Sequence, residues 1–447
     1  MTTEHSGQAG PTLKRTMGLW GLVLYGIGDM LGSGIYALIG KAAGAMGNAI
    51  WLAFLASMAA ALLTGLSYAS LGSRYPRAAG AAYVTQRAFG RPFFSYLIGL
   101  AVLASGLTSF AAQSRAFAGY LSAALAGVPL GLIVLGFIAV LSLVNFWGMR
   151  ESSGLNAVCT VIEVSGLLVI IYAGIRFWGT VDYLEPPAGM GGITLPLVLQ
   201  GGVLTFYSFI GFEDMINIVE EVKDPRRVFP RAVLFALGAV TLIYIAVAVS
   251  AVSVVPHARL AASNEPLVEV VRRAFPAFPV ALFTAISLFA ITNTALLNFI
   301  MGSRLAYGMA RVGLVPKRLG AVHPTRRTPH VAIAAMAAIV FGLAFSGDLS
   351  GLASATSALL LGVFIVINAA LVVLKLRQGE PRGHFEIPMV VPAAGILVCA
   401  TLLAHARPRA LVTALGILAA IAALYFVMRP RRITEEDIIE MESADMK

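Results

Sequence analysis

The stretch GDMLGSGIY, from Gly28 to Tyr36, lies inside an apolar run that extends from Leu19 to Ile39. Glycine inside a helix costs about 0.5–1 kcal/mol relative to alanine, and a backbone group left without a partner in lipid costs several kcal/mol more. A break in the helix is therefore tolerable only where the freed groups face protein, water or a ligand. The alternative is one continuous helix that packs closely through its small residues, which the spacing of Gly28 and Gly32 also allows.

The bulk composition indicates an integral membrane protein built of helices. The chain has 447 residues, a mean hydropathy of +0.85 and only 12% charged residues. Continuous apolar runs favour a helical bundle over a β-barrel, whose strands would alternate. Because a bilayer core needs about 20 apolar residues for each helical crossing, the sequence predicts about twelve spans, at 17–40, 46–70, 93–121, 128–149, 155–178, 196–219, 229–254, 278–310, 330–346, 349–375, 387–405 and 409–428.

The distribution of positive charge predicts the orientation of the chain. Most of the 32 Lys and Arg residues fall in stretches that are cytoplasmic if the N-terminus is inside. That bias is expected of a multi-pass protein of the cytoplasmic (inner) membrane with both termini in the cytoplasm. The net charge of +10 is interpreted as this topology signal, so no nucleic-acid partner is expected. Cys159 and Cys399 both fall inside apolar spans, so no disulfide-linked partner subunit is expected either.

The sixth predicted span is also interrupted, by Gly211 within the sequence FIGFED (209–214). Paired interruptions at corresponding positions of two halves are typical of inverted-repeat transporters that bind their substrate near the bilayer midplane. In that arrangement the N-terminus of a half-helix offers N–H groups and positive dipole to an anionic group. The unwound carbonyls accept from a cation, so a zwitterion would use both.

Four motifs, in order along the chain, resemble those of the amino acid–polyamine–organocation superfamily. They are GSGIY (32–36), SRYPRAAGAAYVTQRAFGRP (73–92), FIGFEDMINIVEEVKDPRRVFPRA (209–232) and SRLAYGMARVGLVPKRL (303–319). The resemblance, to bacterial amino acid permeases related to the cationic amino acid transporters, implies an all-α, leucine-transporter-like fold with discontinuous first and sixth helices. It divides the chain into a cytoplasmic tail, two inverted repeats of five helices, two peripheral helices and a second cytoplasmic tail, at 1–16, 17–178, 196–375, 387–428 and 429–447.

The resemblance also implies where a substrate would bind. The carboxylate would lie on N–H groups around Ser33, Gly34 and Ile35, and the ammonium on carbonyls of 28–32 and 206–209. Tyr207 resembles the aromatic gate that closes over the substrate, although a packing role is the simpler alternative. Glu213 either lines the site or caps the second half-helix, and Asp214 is open to the same two interpretations. The predicted substrate-binding set is Gly32, Ser33, Gly34, Ile35, Phe206, Tyr207, Phe209, Phe212 and Glu213.

Two acidic residues are predicted to lie at matching depth in the membrane, where an ionisable group is by default a candidate functional residue. Asp29 is in the first span and Glu163 in the fifth. Several proton-coupled members of the superfamily carry a lysine at the position of Glu163, and a small apolar residue at that of Asp29. Lysine-based proton coupling is therefore not expected here.

Four roles remain open for these acids. They could share a proton, because two carboxylates in a low-dielectric site cannot easily both ionise. Together with Thr292 and Asn293 they could hold Na⁺ through oxygen ligands. They could bind an amine of the substrate, or form structural hydrogen bonds to neighbouring helices. The predicted ion-coupling set is Asp29, Glu163, Thr292 and Asn293, with H⁺ as the coupling ion, Na⁺ as the alternative, and no cofactor or metal.

The sequence thus predicts a secondary active transporter for an amino acid, working by alternating access and H⁺ symport, with the lipid bilayer and a small-molecule substrate as its partners. Alternatives are an amine, polyamine or amino-acid exchanger, an Na⁺-coupled symporter, or an inorganic cation transporter of the same fold. An enzyme is disfavoured because no HExxH or GxSxG motif and no paired Cys–His spacing occurs.

Overall fold

The computed structural model describes residues 17–75, 80–122, 125, 127–147, 153–311, 314–326 and 328–428. Within these ranges the chain is helical and contains no β-strand, only an isolated bridge between Met17 and Val222. The predicted all-α class is confirmed. The two predicted tails, 1–16 and 429–447, lie outside the described residues.

The described part of the chain contains sixteen α-helices. Eight helical stretches in the described part of the chain are long and apolar enough to cross a membrane, and four shorter apolar helices have 10–17 residues. The α-helices are α1 (Leu19–Met30), α2 (Ser33–Met46), α3 (Ile50–Arg74), α4 (Ala81–Phe89), α5 (Pro92–Ser122), α6 (Leu130–Trp147), α7 (Ser153–Gly174), α8 (Leu195–Phe206), α9 (Pro225–Val254), α10 (His257–Ala262), α11 (Pro266–Ala274), α12 (Val280–Arg311), α13 (His330–Ser346), α14 (Leu349–Leu376), α15 (Val390–Ala404) and α16 (Pro408–Met428).

The chain leaves the helical conformation at both predicted interruptions. The first lies between α1, which ends at Met30, and α2, which begins at Ser33. At the second, α8 passes into one 3₁₀ turn and then into extended backbone at Ile210. Gly211 follows with φ of +125°, a conformation that side chains rarely adopt. A 3₁₀ segment, Phe212–Glu221, then leads towards α9.

A seam of small residues brings α3 and α9 into close contact. A Cβ atom on Gly65 would lie 2.5 Å from Leu237 Cδ1, and one on Gly72 would lie 2.5 Å from Phe229 Cε1. Lipid tails are as apolar as leucine, so helices in membranes associate through such close packing rather than through hydrophobic burial. The pair α3–α9 flanks the second interruption, since both helices also pack against the segment 212–221.

A cluster of ion pairs ties the loop between α14 and α15 to the end of α3. Glu386 accepts two hydrogen bonds from Arg74, at 2.8 and 2.7 Å, one from Lys375 Nζ at 2.7 Å and one from the Gly383 amide at 2.8 Å. Partial burial raises the pKa of the Glu386 carboxyl, but the hydrogen bonds from Arg74 and Lys375 outweigh it and lower this pKa to about 2. The loop is therefore held to the bundle by charge.

Candidate functional site

A cavity lies where the two interruptions meet. The space between its walls that is free of protein atoms is about 320 Å³, which includes space open to solvent. The end of α1 and the start of α2 form one part of its wall, residues 207–214 form another, and α5 and α12 complete it. Its lining residues are Asp29, Met30, Gly32, Ser33, Gly34, Ser109, Gln113, Tyr207, Ile210, Gly211, Asp214, Thr294 and Asn298.

The N-terminus of α2 faces this cavity. Gly32, Ser33 and Gly34 all line it, and no side chain caps the first turn of the helix. The first N–H groups of an α-helix have no partner within the helix, and the helix dipole places positive potential at this end. The start of α2 can therefore bind an anionic group such as a carboxylate.

The glycines at this break allow the backbone to approach its neighbours. A Cβ atom on Gly32 would lie 1.7 Å from Thr294 Oγ1, and one on Gly34 would lie 2.6 Å from Ser208 Cα. Real Cβ atoms do not come so close to other atoms. The motif GSG is therefore required both for the break and for the contact between the two interruptions.

Tyr207 connects the second interruption to α5. Its hydroxyl lies 2.8 Å from Ser109 Oγ and 3.5 Å from Ser33 Oγ. Ser109 Oγ in turn accepts a hydrogen bond from Gln113 Nε2 at 3.1 Å. Tyr207 is only 5% exposed, so its phenol closes one side of the cavity in this conformation. Its role as a moving gate stays a prediction.

Tyr244 of α9 links the two interruptions directly. Its hydroxyl lies 2.5 Å from the Met30 carbonyl oxygen and 2.6 Å from that of Ser208. The ring packs against Phe54 and Phe209, with centroid distances of 5.4 and 5.3 Å. One phenol proton thus serves two carbonyl groups that the breaks have released from helical hydrogen bonding.

Two aspartates line the cavity, one from each interruption. Asp29 lies at the end of α1, and a Cβ atom on Gly211 would be 2.8 Å from its carbonyl carbon. Asp214 lies three residues after Gly211. Glu213 lies outside the lining, and its Oε2 accepts a hydrogen bond from the Gly211 amide at 2.9 Å. The sequence left open whether Glu213 and Asp214 line the site or cap the following helical segment. In the structure Asp214 lines the cavity, whereas Glu213 accepts from the backbone at the start of that segment.

Glu163 lies outside the cavity lining, between α7 and α12. It is fully buried, and its Oε1 accepts a hydrogen bond from Asn293 Nδ2 at 3.0 Å. Its Oε2 has no hydrogen-bond partner among the described residues, and no Lys, Arg or His of that part of the chain forms an ion pair with it. The Thr292 hydroxyl donates to Leu288 O of its own helix at 2.6 Å. The predicted ion-coupling residues therefore occupy two places, Asp29 at the cavity and Glu163 with Asn293 beyond it.

The remaining predicted binding residues pack outside the lining. Phe206, Phe209 and Phe212 are fully buried in an aromatic cluster, in which Phe206 and Phe212 both contact Phe364. Ile35 is fully buried in the core. These side chains support the segments that form the cavity wall.

Sequence reasoning missed the contributions of α5 and α12. Ser109 and Gln113 line the cavity from α5, and Thr294 and Asn298 line it from α12. Each pair is spaced i, i+4, so both members lie on the same face of their helix. Polar pairs at this spacing inside an apolar span were the available signal.

Comparison with known proteins connects this architecture to a family. The sequence profile described as "Amino acid permease" matches residues 17–439. The chain is 27% identical over 420 residues to the branched-chain amino acid permease BcaP of Bacillus subtilis, covering 87% of each chain. It is 30% identical to an uncharacterized transporter of Mycobacterium tuberculosis, covering 95% of this chain and 94% of that one. It is also 31% identical to the chloroplastic cationic amino acid transporter 9 of Arabidopsis thaliana, over 71% of this chain and 59% of the relative.

The family match spans nearly the whole chain, and the relatives are named as permeases and transporters, not as enzymes. The structure adds several apolar helices of membrane-spanning length and a cavity between two interrupted helices. The protein is thus a multi-pass membrane transporter for amino acids that belongs to the amino acid permease family.

Proposed function

We propose that this chain is a secondary active transporter that moves an amino acid across the cytoplasmic membrane by alternating access. The observation that carries the proposal is that two interrupted helices meet at one cavity, which is lined by residues from each of the segments 29–34 and 207–214. The two halves would be the inverted repeats 17–178 and 196–375, with 387–428 as peripheral helices. The chain would then cross the membrane about twelve times, with both termini in the cytoplasm.

The cavity offers complementary groups to a zwitterion. The start of α2 presents N–H groups and positive dipole to a carboxylate. The carbonyl groups of Met30 and Ser208 each accept from Tyr244, but a carbonyl oxygen has two lone pairs and can accept a second hydrogen bond. An ammonium could therefore bind at the same break. The names of the relatives, which include branched-chain and cationic amino acids, support an amino acid as the substrate.

We assign coupling to H⁺, carried by Glu163. A buried carboxylate without a counter-charge is costly, whereas a protonated carboxyl is tolerated. Glu163 has one hydrogen bond, from Asn293, and no basic partner within the described residues. A group in this position can hold a proton while it is enclosed and release it when water enters during the opposite state of the cycle.

The test is uptake of radiolabelled amino acids into proteoliposomes under separate gradients of pH and Na⁺. We expect accumulation driven by an inwardly directed proton gradient without Na⁺, and its loss when a protonophore is added. Glu163→Gln keeps the shape and the contact with Asn293 but cannot titrate, so this variant should exchange substrate across the membrane without accumulating it. Glu163→Asp, which still titrates, is the matched control and should accumulate. Accumulation that needs Na⁺, or that persists in Glu163→Gln, would contradict proton coupling at this residue.

A further inference from the structure

Several side-chain hydrogen-bond donors around the cavity bind within the protein. Asn298 Nδ2 donates to Thr294 O at 3.1 Å, and the Thr294 hydroxyl donates to Ala290 O at 3.0 Å. Gln113 Nε2 donates to Ser109 Oγ at 3.1 Å. These side chains present oxygen acceptors to anything bound in the cavity, together with the second N–H of each amide nitrogen and the backbone N–H groups at the start of α2.

Gln113 carries an acceptor that the protein leaves unmatched. Gln113 lines the cavity and is only 1% exposed. Its Oε1 atom has no hydrogen-bond partner among the described residues. Gln113 Nε2 instead donates to Ser109 Oγ, which in turn contacts the Tyr207 hydroxyl. A buried carbonyl oxygen without a donor is unfavourable, so a bound group that donates to it is favoured over one that cannot.

The charge of the cavity points the same way. Asp29 and Asp214 are among its lining residues, and no Lys, Arg or His is among those that the structure describes. Among the described lining residues, Met30, Ile210 and the ring of Tyr207 offer apolar surface. A branched aliphatic side chain of a substrate would bury the oxygen atoms of the lining without donating a hydrogen bond to them. A side chain that ends in N–H groups would donate to them, and a cationic one would also offset the carboxylates.

We propose that Gln113 is a specificity-determining residue, and that its amide oxygen selects amino acids whose side chains end in N–H donors over aliphatic ones. The inference rests on the proposed function, because it assumes that an amino acid binds with its carboxylate at the start of α2. The donor-bearing end of the side chain then lies towards α5, where Gln113 and Ser109 are located. The site would take amine, guanidinium or amide side chains, in contrast to what the name of the branched-chain relative states.

The experiment measures the affinities of the purified full-length protein for L-ornithine, L-glutamine and L-leucine by ligand-dependent thermal stability. We expect the wild-type protein to bind ornithine and glutamine at least 10-fold more tightly than leucine. Gln113→Leu has a similar size but no acceptor, and should reduce this preference by about 10- to 100-fold. A preference for leucine in the wild type, or an unchanged preference in Gln113→Leu, would overturn the proposal.

A second variant covers the case in which Gln113→Leu does not fold. Gln113→Glu keeps an oxygen acceptor and adds charge, so it should raise the ornithine-to-leucine preference by about 10-fold, because hydrogen bonds to ionised groups are stronger. An unchanged ratio in this variant would also overturn the role of Gln113. If none of the common L-amino acids stabilises the wild type, it is the proposed function that fails, and the two failures are thereby distinguished.

Discussion

Replacement of Tyr244 by phenylalanine isolates the contact between the two interruptions. The variant keeps the ring, and with it the packing against Phe54 and Phe209, but it removes the hydroxyl that bridges Met30 O and Ser208 O. Leaving a buried acceptor without its donor costs about 1–3 kcal/mol. Both carbonyls lose this donor, so we expect a penalty of at least this size.

The penalty should appear in substrate affinity. If Tyr244 holds both segments in the conformation that binds the substrate, the variant must reach that conformation without its help, and the free energy of substrate binding becomes less favourable. A loss of about 1–3 kcal/mol corresponds to a dissociation constant raised by roughly 5- to 150-fold. Isothermal titration calorimetry of the detergent-purified protein with its best amino acid measures this directly.

Tyr120→Phe is the matched control. Tyr120 is also fully buried, and its hydroxyl donates to the Tyr36 carbonyl within α2 at 2.6 Å, so it does not bridge the two interruptions. Both variants should lower thermal stability, but only Tyr244→Phe should weaken binding. Equal effects on affinity in the two variants, or none in Tyr244→Phe, would refute the idea that this phenol couples the interruptions.

Two further predictions concern packing and charge. Gly34→Ala would place a methyl group 2.6 Å from Ser208 Cα, a backbone atom that cannot easily move. We therefore expect about 1–3 kcal/mol of destabilisation and loss of substrate binding. The control Gly136→Ala has open space around the new methyl group and should be neutral in the same thermal and binding assays. The carboxyl of Glu386 has its pKa lowered to about 2 in the folded protein, so its contribution to stability is present above the usual carboxyl range and is lost as the pH falls towards 2. Thermal unfolding of wild type and Glu386→Gln should therefore differ at pH 7 and converge as the solution is acidified; a constant difference would exclude this linkage to Arg74.

The positions of the helices and of both breaks could be predicted from the sequence because their signals are local. An apolar run of about 20 residues is readable without tertiary information, and the cost of glycine in GDMLGSGIY is a property of that segment alone. The break was expected at residues 32–34, and the structure has it between Met30 and Ser33. The second was expected around Gly211, where the backbone indeed takes a positive φ.

The composition of the cavity could be predicted only in part, because it depends on which helix faces meet. Ser33 and Tyr207 were expected there from their motifs and line it, and Asp29, which was expected to couple an ion because of its depth in the membrane, lines it too. Gln113 lies on α5, a helix without a recognised motif, and its position follows only from how α5 packs against the breaks. The partner of Glu163 was open for the same reason. The depth of a carboxyl group in the membrane does not determine which side chain it contacts. In the structure the carboxyl group of Glu163 accepts a hydrogen bond from Asn293.

The glycine seam between α3 and α9 has a consequence for how the protein can move. Gly65 and Gly72 leave no room for even a methyl group between the helices, and Ser73 Oγ also donates to Arg226 O at 3.2 Å near the start of α9. Sliding one helix along the other would drive Phe229 and Leu237 into the opposing backbone. The two helices should therefore travel as a single rigid body in any conformational change, and the bending must be taken up by the segments that are already unwound.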